Sequence, residues 1–386
     1  MATIYKYGDY ALYALGSNGS GQLGIGNNED SSRPLPVTEQ GYGATPKFPR
    51  NIRQLVAGGN HTVILCDPGH VWACGENKDG RIGAKEGEPA DTIRLVRSSW
   101  PRVKPGFSDH IAATWSATIF TESDGTKVVS YGNGNSGELG YGPDIRSRHD
   151  VQNMESFLPD GVRIVQLASC MAHVVAVLSN GEVYGWGKGR KGQLGEPAED
   201  VWTPRKIDGI LFRAVKAVCG KDFTCIFGAP ANGELLILGP TRNDRFRVKV
   251  DAPSNVRGWV DVQASWGSVY VLLESGKIVA WGRNDHGQLP PPDLPSIAKI
   301  SAGSEHCLAL TTDDRALAWG WGEHGNCGAE IDEAGDVKGG RWNELNVPGK
   351  PVDVFAGCAT SFIATRFIAT VDQQNGARPA SKSSEG

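Results

Sequence analysis

A nine-residue glycine-rich motif recurs along the chain at nearly even spacing, and no other feature limits the fold as strongly. It reads GSNGSGQLG from Gly16, GENKDGRIG from Gly75, GNGNSGELG from Gly132, GKGRKGQLG from Gly187, GRNDHGQLP from Gly282 and GWGEHGNCG from Gly320. A degenerate form, GPTRNDRFR from Gly239, fills the gap between the fourth and fifth of these. The seven copies lie about 51 residues apart, a period that belongs to propeller blades rather than to helical solenoids.

Each motif except the first follows an apolar arm made of two short β-rich stretches parted by small residues. The arms are IRQLVAGGNHTVIL, IAATWSATIF, IVQLASCMAHVVAVL, VKAVCGKDFTCIF, VDVQASWGSVYVLL and AKISAGSEHCLAL. A second turn, such as SNGE at Ser179–Glu182 or ESGK at Glu274–Lys277, leads into a short strand ending in Trp-Gly or its equivalent. The unit is an antiparallel meander. A seventh arm, VDVFAGCATSFIAT at Val352–Thr365, has no motif after it, and the first motif, led by ALYALG, has no arm before it. These ends complete each other. The sequence therefore predicts an all-β, seven-bladed β-propeller over residues 1–371, its ring closed by pairing of N- and C-terminal strands so that no sheet edge is left free at the junction. Length alone, 386 residues, would suggest two or three domains, and the repeat overrides that prior. Residues 372–386, DQQNGARPASKSSEG, lack an apolar period and are expected to form a disordered polar tail.

Composition narrows the chemistry. A net charge of -4 gives no general attraction to nucleic acid or an anionic membrane. The eight cysteines are scattered singly, mostly in apolar runs such as TCIF and CLAL, where Cys acts as a small buried hydrophobe. With neither a signal peptide nor a long apolar span, the expectation is a cytoplasmic protein with reduced thiols, the nucleus being a second location. Three stretches fit G-x-G-x-x-G, at Gly132–Gly137, Gly187–Gly192 and Gly320–Gly325, but no helical period follows any of them. They read as the repeat's own turn glycines, not as dinucleotide loops. Histidines and carboxylates do not fall at metal spacing, and the adjacency of Ser304, Glu305 and His306 does not make a nucleophile–base pair. No cofactor, metal site or catalytic residue is expected.

Strand direction places a candidate site. Within a meander, the turn inside each arm and the loop after each Trp-Gly lie at the same end of the blade, because two antiparallel strands separate them. That face is predicted to bind a partner through Asn60, His61, Trp115, Asp222, Trp266, Glu305, His306, Trp321, Glu323 and His324, with Met171, His173 and Lys221 beside them. Tryptophan suits such a face because it buries a large area at low entropic cost. Blander readings stand next to this one. His61 and His306 could hydrogen-bond their own turns, Trp115 and Trp266 could plug the channel, and Glu323 and His324 could be solvated loop residues.

Arms of the form A-G-x-x-H-[ST], followed by W-G-x-N-x-x-G-Q-L-G, resemble the regulator-of-chromosome-condensation repeat. The resemblance implies the propeller but not one function, since that family includes nucleotide exchange factors, a plant ultraviolet receptor and adaptors. AGSEHCLALTT at Ala302–Thr312, AWGWGEHGNCG at Ala318–Gly328, GKPVDVFAGCATSFIA at Gly349–Ala364 and GKDF at Gly220–Phe223 resemble the fungal alpha-tubulin suppressor family, also called killer toxin insensitivity protein thirteen. This implies a heterodimer with a small zinc-binding diphthamide biosynthesis protein, killer toxin insensitivity protein eleven. Through it the chain would support diphthamide synthesis on elongation factor two and Elongator-dependent modification of the tRNA wobble uridine, with no direct nucleic-acid or membrane contact. The alternative is guanine nucleotide exchange on a Ran-type small GTPase. Light sensing by the eleven tryptophans is weaker, because most of them occupy repeat positions. The degenerate fifth repeat and an insertion at Ile331–Asn346 depart from the family pattern.

Overall fold

Each apolar arm forms the two innermost strands of one blade, and each Trp-Gly stretch forms the third. The computed structural model describes residues 10–39, 51–67, 69–83, 91–97, 108–122, 124–149, 153–240 and 242–366. The strands within it make seven separate sheets. The innermost strands are Ile52–Ala57 in blade 1, Ser108–Ala113 in blade 2, Ile164–Cys170 in blade 3 and Lys216–Cys219 in blade 4. They continue with Trp259–Ala264 in blade 5, Ile297–Ala302 in blade 6 and Lys350–Ala356 in blade 7, and all seven line one central channel. Among the described residues there is no helix, and hence none long and apolar enough to cross a membrane.

Blade 7 joins the two ends of the chain. Its second strand is Thr360–Arg366, and its third and fourth are Tyr10–Gly16 and Ser31–Pro36 from the N-terminus. The pairing runs without a break from Tyr10 opposite Arg366 to Gly16 opposite Thr360. The tail expected at residues 372–386 lies outside the described residues.

The Trp-Gly ending has a geometric cause. Gly75, Gly187 and Gly282 hold φ values of 102°, 100° and 110°, and a Cβ on each would stand 2.3 Å from the carbonyl oxygen of Asn60, Ala172 or Gly267 in the arm turn of the same blade. Only glycine fits both the conformation and the space. In blades 3, 5 and 6 the residue before this glycine is a tryptophan that ties one blade to the last. Trp186 donates its indole N–H to the Glu138 carbonyl at 2.9 Å, Trp281 to Val248 at 2.9 Å and Trp319 to Gln288 at 3.0 Å, each acceptor lying in the loop of the previous blade. A buried indole N–H without an acceptor would cost about 1–3 kcal/mol, so these bonds register the three seams they cross.

The core is made of those seams. One apolar cluster runs from Ile119 and Leu139 of blade 2 through Trp186 and Leu194 of blade 3 to Ile226 of blade 4. Nearer the axis, the Gln54 amide exchanges two hydrogen bonds with the Ile111 backbone, at 2.8 and 3.0 Å, and Gln166 does the same with Ala217 at 2.8 Å.

Outer strands differ from blade to blade. Blades 1, 2 and 3 end on Asp91–Arg97, Ser147–Arg148 and Val201–Lys206. The Ile331–Asn346 insertion supplies the outer layer of blade 6, where Asp336–Val337 and Asn343–Glu344 both pair with Ala316–Trp321. Blades 4 and 5 have three strands each. The degenerate fifth repeat is the loop that follows the third strand of blade 4, Leu235–Leu238.

Candidate docking face at the arm turns

The arm turns of blades 1 to 3, and those of blades 4 to 7, are bonded one to the next around the channel mouth. Gly59 N–H donates to the Trp115 carbonyl at 3.0 Å, Trp115 N–H to Met171 at 2.6 Å, Lys221 N–H to Trp266 at 2.9 Å, Trp266 N–H to Ser304 at 2.9 Å and Ser304 N–H to Gly357 at 3.0 Å. This belt fixes the backbone from which the candidate residues project. The Gly-rich loops share the same end, as when Trp321 N–H donates to the Glu305 carbonyl at 3.0 Å.

Trp115 and Trp266 stand on blades 2 and 5, on opposite sides of the ring, and meet across the mouth with ring centroids 6.3 Å apart. Trp115 is 41% exposed. Its indole lies over Gly59, where a Cβ would come within 2.6 Å of the ring, so the missing side chain gives it a seat. The Lys221 ammonium lies 5.2 Å from the centroid of the half-buried Trp266. Beside it Asp222 reaches Lys188 at 3.5 Å. The two indoles therefore span the opening and still present aromatic surface outward. Behind them is a cavity of about 720 Å³, lined by Cys170, Cys219 and Cys358 among others. Burial pushes the Cys219 thiol up to about 12 and the Cys358 thiol up to about 11, so both stay protonated and unreactive at neutral pH.

Trp321 belongs to a second, more peripheral group at the seam between blades 6 and 7. It meets His324 edge-on with centroids 5.4 Å apart and lies 6.5 Å from His286. His324 Nδ1 is 2.9 Å from an Asp30 carboxylate oxygen, and His286 Nδ1 is 2.9 Å from Asp336. Glu323 is exposed next to them. Asn60 is half-buried and donates to Glu76 at 3.4 Å.

Three of the candidate residues are withdrawn from any partner. His61 and His306 have 0% exposure. Their Nε2 atoms pair with the hydroxyls of Thr118 at 3.0 Å and Ser361 at 2.9 Å, each in the next blade, and His173 pairs with Thr224 at 3.1 Å in the same way. They are latches between blades, neither contact residues nor ligands of their own turns. The latch is extended when the Thr118 hydroxyl donates to the Arg81 carbonyl at 2.6 Å and Ser361 to Asn326 at 2.7 Å. Glu305, 5% exposed, is held by the Arg283 guanidinium and by the Gln288 amide at 2.8 Å. Burial raises its carboxyl above the ordinary value despite those partners. Among the described residues no group of three or more His, Cys, Asp or Glu side chains could hold a metal ion.

The RCC1-like domain family matches residues 11–364, nearly the whole described ring. This chain belongs to the RCC1-like family. An RCC1 repeat-containing protein of Schizosaccharomyces pombe is 31% identical over 365 residues, covering 91% of this chain and 98% of that one. The secretion-regulating guanine nucleotide exchange factor of Mus musculus is 27% identical over 366 residues, covering 82% and 75%. Among solved structures, Prp20p of Saccharomyces cerevisiae matches with a TM-score of 0.76 at 19% identity over 95% of this chain and 93% of its own. Human WBSCR16 gives 0.74 at 21% over 92% and 99%. The two structural likenesses establish the fold. On this RCC1-like ring, the accessible candidate surface reduces to Trp115, Trp266 and Asp222 with Lys221 beside them, half-buried Asn60, and the Trp321–Glu323–His324 group. The part played by Asp30 was hidden from sequence reasoning, because it reaches His324 only once the ring has closed.

Proposed function

We propose that this RCC1-like propeller is a non-catalytic subunit that docks a small zinc-binding diphthamide biosynthesis protein, killer toxin insensitivity protein eleven, on its arm-turn face. The observation that carries docking is the Trp115–Trp266 pair: two indoles from opposite blades, one of them 41% exposed, flanked by the Lys221 cation. Such a rigid aromatic centre ringed by polar groups is the arrangement in which interface hot spots form. The choice of partner rests on the resemblance of Ala302–Thr312, Ala318–Gly328 and Gly349–Ala364 to the alpha-tubulin suppressor family. Burial of the edge of the partner's metal site against the indoles would exclude water from it and limit its redox exchange. Diphthamide synthesis and Elongator-dependent wobble-uridine modification would then depend on this chain through its partner, in the cytoplasm, with the nucleus as a second location.

The mouse relative named as a guanine nucleotide exchange factor favours a second reading, nucleotide exchange, for which the target would be a Ran-type small GTPase. Two experiments on the purified chain separate the readings. Co-purification with the zinc protein supports the first, and its absence, together with faster nucleotide release from the GTPase at substoichiometric amounts of this chain, supports the second.

A further inference from the structure

Blades 4 and 5 stop at three strands because the chain that follows is too short to add a fourth. Residues 249–255 join Val248 to Val256, and residues 290–296 join Leu289 to Ile297, whereas blade 3 has residues 195–213 between Leu194 and Ala214. The two short connections differ. That of blade 5 carries Pro290, Pro291 and Pro292, which have no N–H to extend a ladder, and Pro292 lies against Gly340 of the blade 6 insertion. That of blade 4 carries a single proline, Pro253.

In blades 2, 3 and 6 the first residue of the third strand accepts an N–H from the outer layer: Val128 from Met154, Val183 from Ile207 and Ala316 from Leu345, each at 2.8 Å. Leu235 holds this position in blade 4, opposite Phe227. The Gly228 N–H donates to the Glu234 carbonyl at 2.9 Å, which sets the alternation. Leu236 and Leu238 turn their backbone groups toward Thr224–Phe227, and Leu235 and Ile237 turn theirs outward. Among the described residues, no strand pairs with that outer side. Leu235, Leu236 and Leu238 are partly exposed, and Val250 on the connection is 63% exposed.

The chain that follows the edge strand is basic. Residues 242–257 carry Arg242, Arg245, Arg247, Lys249 and Arg257 against Asp244 and Asp251. Both carboxylates are engaged: Asp251 pairs with Arg247 at 2.7 Å, and Asp244 accepts the N–H groups of Val248 at 2.9 Å and Lys249 at 2.8 Å. The segment is anchored beside the edge, since Val248 and Val256 share an apolar cluster with Ile237 and Arg257 donates to the Asn232 carbonyl at 3.2 Å.

We propose that the outer edge of blade 4 is a second docking site, which takes an extended acidic and apolar segment of a partner protein as the missing fourth strand. Backbone bonds to Leu235 and Ile237 set the register, apolar side chains cover the leucines and Val250, and carboxylates meet Arg242, Arg245 and Lys249. Cations beside an open strand discourage indiscriminate pairing, and an acidic partner turns that deterrent into selectivity.

The test uses the full chain and a labelled peptide of alternating glutamate and valine, with an alternating lysine and valine peptide as control. The glutamate peptide should bind and slow amide exchange at Leu235 and Ile237 about tenfold or more, and the lysine peptide should not bind. Leu235→Pro removes one outward N–H and should abolish binding. Arg245→Glu with Lys249→Glu leaves the strand untouched and should weaken binding about tenfold or more. Equal binding of both peptides, unchanged affinity in the charge-reversed variant, or protection at Ile278–Gly282 in place of Leu235 would overturn the proposal. So would self-association of the chain that Leu235→Pro removes, since the edge would then belong to a second copy.

Discussion

Buried histidines give the ring a titratable seam. Burial holds His61 down to about 3 and His173 and His306 to about 4, against an ordinary value of 6.5. The unfolded chain takes up these protons as pH falls through 6.5 and the folded chain does not, so stability present above 6.5 is lost progressively toward pH 4. Each histidine contributes up to about 1.4 kcal/mol per pH unit in that window. Glu138 and Glu305, whose carboxyls are raised by burial, act in the opposite sense, so the histidine effect is read by difference. His306→Gln should flatten the dependence of the urea midpoint on pH between 7 and 5 relative to the parent; equal slopes would contradict the latch. At the same scale, Trp115→Ala should weaken partner binding at least about tenfold with little change in melting temperature, and calorimetric titration would measure both affinities. The residue types at these positions are legible in the sequence, but their partners are not. His61 bonds a hydroxyl in another blade, and Trp115 meets an indole three blades away, contacts that exist only after the ring has formed.

Strands show a similar division. The arms can be read because both faces of their strands are buried between blades, as in His173–Leu178, where every residue is buried. Outer strands such as Ser31–Pro36 are largely solvated, so they carry no apolar period and leave no mark in the sequence. The shortened blades 4 and 5 can be recognised only from the length of chain between one motif and the next arm. The Trp-Gly glycine is the position at which sequence and element constrain each other most tightly. Gly187→Ala should cost about 2 kcal/mol or more, because the new Cβ meets the Ala172 carbonyl at 2.3 Å with φ at 100°. Thermal unfolding would register that loss, and an unchanged melting temperature would mean that the arm turn can give way.

The whole ring depends on a junction between residues distant in sequence. Tyr10–Gly16 and Thr360–Arg366 share one sheet, so a chain lacking residues 350–386 leaves Tyr10–Gly16 paired only with Ser31–Pro36 and opens two blade faces. That truncation should aggregate on expression. A circular permutant opened between Asp208 and Leu211, where Leu211 is 97% exposed, with the native ends joined by a flexible linker, should stay soluble and melt as one unit. Size-exclusion chromatography distinguishes the two outcomes. Closure also brings opposite blades together at the channel mouth, and the proposed function rests on that surface. The most direct measurement is calorimetric titration of the full chain with the small zinc-binding diphthamide biosynthesis protein, repeated with Trp115→Ala and Trp266→Ala combined. Saturable one-to-one binding that the double variant loses while keeping its fold is the predicted result; no heat from the parent chain, or equal affinity in the variant, would contradict it.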